Sequence, residues 1–131
     1  MKNDLTVFIV DDDPFWASLL KEMLAELGFA NVSTFSKGSD CINNLNKHPK
    51  LVFLDHQLED SDGLKILQEI KQFEPHTCVV FCTAHMDFNV AVNAMKNGSA
   101  EYLLKANATI GEVGEIIKGL NTRKAFADKI F

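Results

Sequence analysis

The chain has 131 residues, of which 47% are hydrophobic, a size that suits one globular domain burying roughly two-thirds of the surface its unfolded chain exposes. A formal net charge of −5 without any long basic run argues against a dedicated nucleic-acid or anionic-membrane surface. No apolar segment approaches the ~18 to 20 residues that span a bilayer, and Met1-Lys2-Asn3-Asp4 leads into a short strand-like run instead of a signal-peptide core, so a cytoplasmic location is expected.

Leu5-Thr6-Val7-Phe8-Ile9-Val10 reads as a buried strand that stops at Asp11-Asp12-Asp13. Pro14 presets a helical start with Asp13 as cap, and Trp16, Leu19, Leu20, Met23, Leu24 and Leu27 recur at three-to-four spacing until Gly28. Asn31 to Phe35 alternates as a half-exposed strand does, and Cys41, Ile42 and Leu45 mark a short helix ending before Pro49. The apolar run Leu51-Val52-Phe53-Leu54 then ends at Asp55 and a polar loop, so a strand delivers one carboxylate to an edge. Asp62-Gly63 opens a helix carrying Leu64, Leu67 and Ile70, closed by Pro75. A fourth strand from Thr77 to Cys82 stops at Thr83-Ala84, and Phe88, Ala91, Val92 and Met95 stripe a helix that Gly98 terminates. Ser99 to Leu104 makes a fifth strand ending at Lys105. The last helix carries Ile110, Val113, Ile117 and Leu120, with Gly111, Gly114 and Gly119 each costing it about 1 kcal/mol of propensity. Trp16, the phenylalanines in helices and strands, and the three cysteines Cys41, Cys78 and Cys82 are expected in the core.

Five strand–helix pairs in alternation predict a parallel sheet with helices on both faces, since parallel neighbours need crossovers. In such sheets function collects beyond the carboxyl ends of the strands, and Asp11, Asp12, Asp55, Thr83 and Lys105 all fall there. Clustered carboxylates stay jointly ionised at neutral pH only with a cation among them, and hard oxygen ligands select Mg²⁺ or Mn²⁺, with two carboxylates plus a backbone carbonyl sufficing. Such an ion and the Lys105 ammonium would neutralise an incoming phosphoryl group, leaving Asp55 as nucleophile of an acyl phosphate.

Ile9-Val10-Asp11-Asp12-Asp13-Pro14, the Asp55 to Asp62-Gly63 segment, Thr83-Ala84 and Glu101-Tyr102-Leu103-Leu104-Lys105 together resemble the receiver domain of two-component response regulators, in order and spacing. The resemblance implies a flavodoxin-like, doubly wound (βα)5 α/β domain over residues 1–124, with strand order 2-1-3-4-5, and leaves residues 125–131 as the end of the last helix or the start of a linker. It implies Asp55 as phospho-acceptor and Lys105 as the phosphate-binding lysine. Asp12 would ligate metal directly, Asp11 mainly through water, and Gln57 through its backbone carbonyl. Thr83 and Tyr102 match the family's switch pair, which alters the face formed by the fourth helix, fifth strand and fifth helix. Gln57 and His85 lie where the family tunes the lifetime of the acyl phosphate. The implied partners are a histidine kinase or histidine phosphotransfer protein, and a second copy or an output partner on the switching face, with neither nucleic acid nor membrane engaged directly. The implied chemistry is signalling by self-phosphotransfer and autodephosphorylation, not turnover of a separate substrate.

Glu59 stands where the family usually has proline, and Ala106 follows Lys105 where a proline with a cis bond is frequent. A cis Lys105–Ala106 bond costs ~2.5 to 4 kcal/mol, so either a trans bond with a shifted loop or a retained cis bond is expected. His56 and His85 lack an evident third ligand for zinc. Two other classes stand against the receiver reading. Asp11-x-Asp13 also resembles the nucleophile motif of haloacid-dehalogenase-like phosphatases, with Asp11 as nucleophile, but Phe15 sits where that motif calls for Thr or Val. A phosphorylation-independent interaction module would have no use for the full five-residue set. The sequence leaves open whether the domain stands alone or belongs to a longer regulator.

Overall fold

The computed structural model describes residues 4–123; the segment 125–131, expected as a helix end or linker, lies outside the described residues. The strands are β1 (Val7–Val10), β2 (Val32–Phe35), β3 (Leu51–Asp55), β4 (Cys78–Thr83) and β5 (Glu101–Leu104), and the helices are α1 (Pro14–Glu26), α2 (Gly38–Asn43), α3 (Gly63–Phe73), α4 (Phe88–Lys96) and α5 (Ile110–Arg123). All strand pairs are parallel, in the order β2-β1-β3-β4-β5. Short 3-10 turns at Leu45–Lys47 and Lys105–Asn107 complete the connections. The helix expected to run to Pro49 is thus a six-residue α2 followed by the first of these turns.

Side chains alternate across the sheet because successive strand residues face opposite sides. Val7, Ile9, Leu51, Phe53, Val80 and Leu103 pack with α1 and α5. Phe8, Val10, Val52, Leu54, Val79 and Phe81 pack with α2, α3 and α4 on the other side. β1, β3 and β4 are buried throughout, as central parallel strands covered on both faces must be. All three cysteines are buried thiols outside any disulfide; burial pushes the Cys41 thiol up to about 12 and raises that of Cys82, so both remain neutral core fillers.

Local chemistry sets the helix starts. The Asp13 carboxylate accepts from the Phe15 and Trp16 amides (3.0 and 3.3 Å) ahead of Pro14, and Asp62 and Asp87 cap α3 and α4 in the same manner. Gly28 and Gly98 take φ of 101° and 99° just past α1 and α4, a region open to glycine at little cost.

The orientation of α4 differs from expectation. Phe88 is 77% exposed and Met95 47%, while Ala94 is the helix's buried residue and Val90, one turn earlier, packs beside it on the core. The i, i+3, i+4, i+7 spacing of Phe88, Ala91, Val92 and Met95 defines an apolar face but not the direction in which it points. Phe15 and Phe73, also expected inside, are exposed as well.

Candidate functional site

Strand register assembles the site. Val10 pairs with Leu54, so the next residues, Asp11 and Asp55, arrive level at the carboxyl edge; the Asp11 amide extends the ladder to the Phe35 carbonyl at 2.9 Å. Asp55 pairs with Cys82 and Thr83 with Leu104, which brings Thr83 and Lys105 to the same edge. Alternation assigns the faces: Asp11, Asp55 and Lys105 continue the rows of Ile9, Phe53 and Leu103 on the α1/α5 side, whereas Thr83 and Tyr102 continue the opposite row, with Tyr102 packed among the α3/α4 cluster.

Lys105 Nζ lies 2.6 Å from Asp11 Oδ2 and 3.4 Å from Asp55 Oδ1, and 5.6 Å from the centre of the Trp16 ring. The lysine reaches this position with a trans Lys105–Ala106 bond, no peptide bond being cis among the described residues. Asp11 is buried and its Oδ1 accepts from the Asp13 amide at 2.9 Å, which holds the carboxylate in place. Burial raises the Asp11 carboxyl above its usual range despite Lys105. Burial, with Asp11 next, pushes Asp55 to about 6 against the pull of Lys105. Burial also draws Lys105 down, but Asp11 and Asp55 more than offset it and leave the ammonium above its usual value.

Asp12 is exposed, and together with Asp55, Gln57, Thr83, His85 and Lys105 it lines one open cavity. Thr83 Oγ1 donates to the His85 carbonyl at 3.0 Å, tying the β4–α4 loop to the strand end. The Tyr102 ring lies nearly parallel to Phe81, with centroids 6.4 Å apart, and its buried hydroxyl has no hydrogen-bond partner among the described residues. His56, Ala84 and Asp87 also line the cavity, although residue patterning assigns no ligand role to His56 and no site role to Ala84 or Asp87. The signal for Asp87 was present as an acid directly before an apolar-striped helix, the pattern of a cap.

Carboxylate oxygens of Asp11, Asp12 and Asp55 lie within 4.8 Å of one another. Three carboxylates facing one ammonium leave two negative charges at the rim of the sheet, and this crowding adds to burial, the larger cause, in displacing Asp55 upward. All-oxygen donors with a charge deficit of this size suit a small, hard divalent cation that keeps several of its waters. The residues therefore fit Mg²⁺ or Mn²⁺. No helix among the described residues is long and apolar enough to cross a membrane.

A parallel five-stranded α/β domain with an acidic cluster and a lysine at the carboxyl edge is the class that fold and site define. Residues 7–117 match the response regulator receiver domain, and the chain belongs to that family. It is 35% identical over 98 residues to the luminescence regulatory protein LuxO of Vibrio campbellii, covering 74% of this chain and 21% of LuxO. The chemotaxis protein CheY of Bacillus subtilis is 28% identical over 100 residues, 76% of this chain and 83% of CheY. A receiver domain protein from Clostridium thermocellum superposes with a TM-score of 0.84 at 28% identity, over 95% of this chain and 99% of that one. The chain thus spans about a fifth of LuxO but most of CheY. The acidic pocket of Asp11, Asp12 and Asp55 fits the phospho-acceptor site of a receiver.

Proposed function

We propose that Asp55 accepts a phosphoryl group from a histidine kinase or histidine phosphotransfer protein and that the domain converts this charge into a changed surface. The observation that carries the reading is Lys105 Nζ lying against both Asp11 and Asp55 beside an open cavity. One Asp55 oxygen attacks phosphorus, the bond from phosphorus to the donor nitrogen breaks, and an acyl phosphate results; attack of water later returns the carboxylate and inorganic phosphate. Lys105 pairs with the incoming oxygens. Asp11, Asp12, Asp55 and the Gln57 backbone carbonyl would hold Mg²⁺ or Mn²⁺, which supplies charge neutralisation for the transferring group.

A phosphoryl group on Asp55 adds close to two negative charges and new acceptors beside Thr83. Thr83 Oγ1 now donates to the His85 carbonyl, so a phosphoryl oxygen competes for that donor and frees the β4–α4 loop. Tyr102 responds from beside Phe81 on the same face of the sheet. The α4–β5–α5 surface would carry the change to an output partner or a second copy, as a shift between states already populated. Gln57 and His85, both exposed at the cavity, would set water access and hence the lifetime of the acyl phosphate.

Intact-mass spectrometry after incubation with acetyl phosphate and Mg²⁺ tests the reading. One phosphoryl adduct is expected, lost with EDTA and lost in Asp55→Asn. An adduct that persists in Asp55→Asn removes Asp55 as sole acceptor, and an Asp11-dependent one favours the phosphatase-like alternative. Folded protein that takes no adduct at any reaction time favours a phosphorylation-independent interaction module.

A further inference from the structure

The loop joining β3 to α3 forms one wall of the acceptor cavity through His56 and Gln57, and borders a second depression shared with Asp12. Its base is closed by a bridge between Gln57 and Asp62 and by the Gly63 amide donating to the His56 carbonyl at 2.7 Å; within it the Leu58 amide donates to the Ser61 carbonyl at 3.0 Å. The tip is fastened elsewhere. Asp60 Oδ1 accepts from the Gly38 amide at 2.8 Å, and Oδ2 accepts from the Ser39 amide at 3.2 Å and from Ser39 Oγ at 2.7 Å. Those donors belong to the first turn of α2, 22 and 21 residues earlier in the chain.

The physical reason is visible at the start of α2. Lys37 occupies the N-cap position and makes no side-chain cap bond, because an ammonium offers no acceptor to the free amides of the first turn. Asp60 supplies the acceptor from a different segment. The Ser39 hydroxyl bond and the two amides keep the Asp60 carboxyl below its usual range, so it is ionised at neutral pH. Gly38 also packs closely on α3 and the loop: a Cβ there would stand 2.6 Å from Ile66 Cδ1 and 3.4 Å from Leu58 Cδ1. Lys37 Nζ and Glu59 Oε2, 3.7 Å apart and exposed, add little beside these bonds.

We propose that Asp60 is a positioning residue for the acceptor site: by capping α2 it fixes the β3–α3 loop, and with it the Gln57 backbone, against the Asp12 and Asp55 carboxylates that receive the cation. The proposal rests on the reading of those carboxylates as a metal and phosphoryl site. A cap that served only a six-residue helix would alter stability and leave cation binding unchanged; a loop clasp alters cation binding in protein that is fully folded.

The test is a Mg²⁺ titration of the full chain, followed by calorimetry and by the fluorescence of Trp16, the single tryptophan, which lies beside Lys105. The samples are wild type, Asp60→Ala, Asp60→Asn, Ser39→Ala and Thr77→Ala, each held well below its own Tm. Thr77, whose hydroxyl donates to the Pro49 carbonyl at 3.1 Å near the amino end of β4, serves as a destabilised control remote from the loop. Asp60→Ala is expected to raise the Mg²⁺ Kd about tenfold, the low end of what outer-shell partners contribute. Ser39→Ala and Asp60→Asn, each keeping part of the clasp, should raise it less, and Thr77→Ala should lower Tm with Kd unchanged. Should Asp60→Ala not fold, Ser39→Ala decides: a Kd equal to wild type overturns the clasp. The clasp is equally overturned if Asp60→Ala binds Mg²⁺ as wild type does, or if Thr77→Ala weakens binding to the same extent. Absence of any Mg²⁺ response in wild type overturns the site reading itself, an outcome distinct from failure of the clasp alone.

Discussion

α1 and α4 each follow a strand whose end feeds the acceptor cavity, yet they are attached to the sheet in different ways. α1 buries Trp16, Ala17, Leu20, Met23 and Leu24 along thirteen residues, whereas α4 buries only Ala94 along nine. Full burial of a large aliphatic side chain contributes about 1.5–3 kcal/mol, so α1 is held far more firmly. The division follows chemistry. Asp11 and Lys105 lie on the α1/α5 side, where a rigid frame keeps like charges at close range; Thr83 and Tyr102 lie on the α4 side, where a lightly held helix can respond.

The largest expected effect comes from breaking the firm side. Leu24→Ala empties a fully buried position of α1 and should cost about 3–4 kcal/mol in urea unfolding. Next is Gly63→Ala, whose Cβ would collide with the Asp55 backbone carbonyl. A cost of about 2–3 kcal/mol is expected from that overpacking, together with slower phosphorylation because Asp55 itself is displaced.

Titration sharpens the same contrast. Folding raises the Asp55 carboxyl from 3.8 to about 6, so the folded chain holds that proton more tightly than the unfolded chain. The stability this group contributes is fully present below pH 3.8 and is lost as pH rises through about 6, and Asp11 acts in the same sense. Metal-free protein should therefore lose stability across that window in thermal melts at fixed ionic strength. Saturating Mg²⁺ should restore it most above about pH 6, where the proton no longer competes. A metal-free profile that rises through the window would contradict the raised Asp55 and Asp11 carboxyls, which burial and then mutual repulsion displace.

The smallest effect belongs to α4. Phe88→Ser, at a side chain 77% exposed, should change stability by no more than about 0.5 kcal/mol. A loss above 2 kcal/mol would show α4 to be anchored as α1 is.

Much of this was legible in the residue order. Apolar runs ending at Asp11, Asp55, Thr83 and Lys105 located the strands and their functional edge together, because a parallel strand buried on both faces leaves polar side chains only where it ends. The facing of α4 was not legible, since an outward apolar stripe and an inward one share the same spacing. Nor was the role of Asp60, whose partners Gly38 and Ser39 are brought to it only by the fold; the local hint was Lys37, a residue unable to cap the helix it precedes. Two-residue alternation could place Thr83 opposite Asp55, but its bond to the His85 carbonyl depends on a loop path that no pattern specifies.

The central claim is that Asp55, and not a neighbouring carboxylate, takes the phosphoryl group. Borohydride reduction of acetyl phosphate-treated protein converts an aspartyl phosphate to homoserine, and tandem mass spectrometry of the peptides containing Leu51–Asp55 and Asp11–Asp13 reads the site. Homoserine at position 55, dependent on Mg²⁺ and absent at Asp11 and Asp12, is the expected result. Homoserine at Asp11 or Asp12 with an intact Asp55 would contradict that claim.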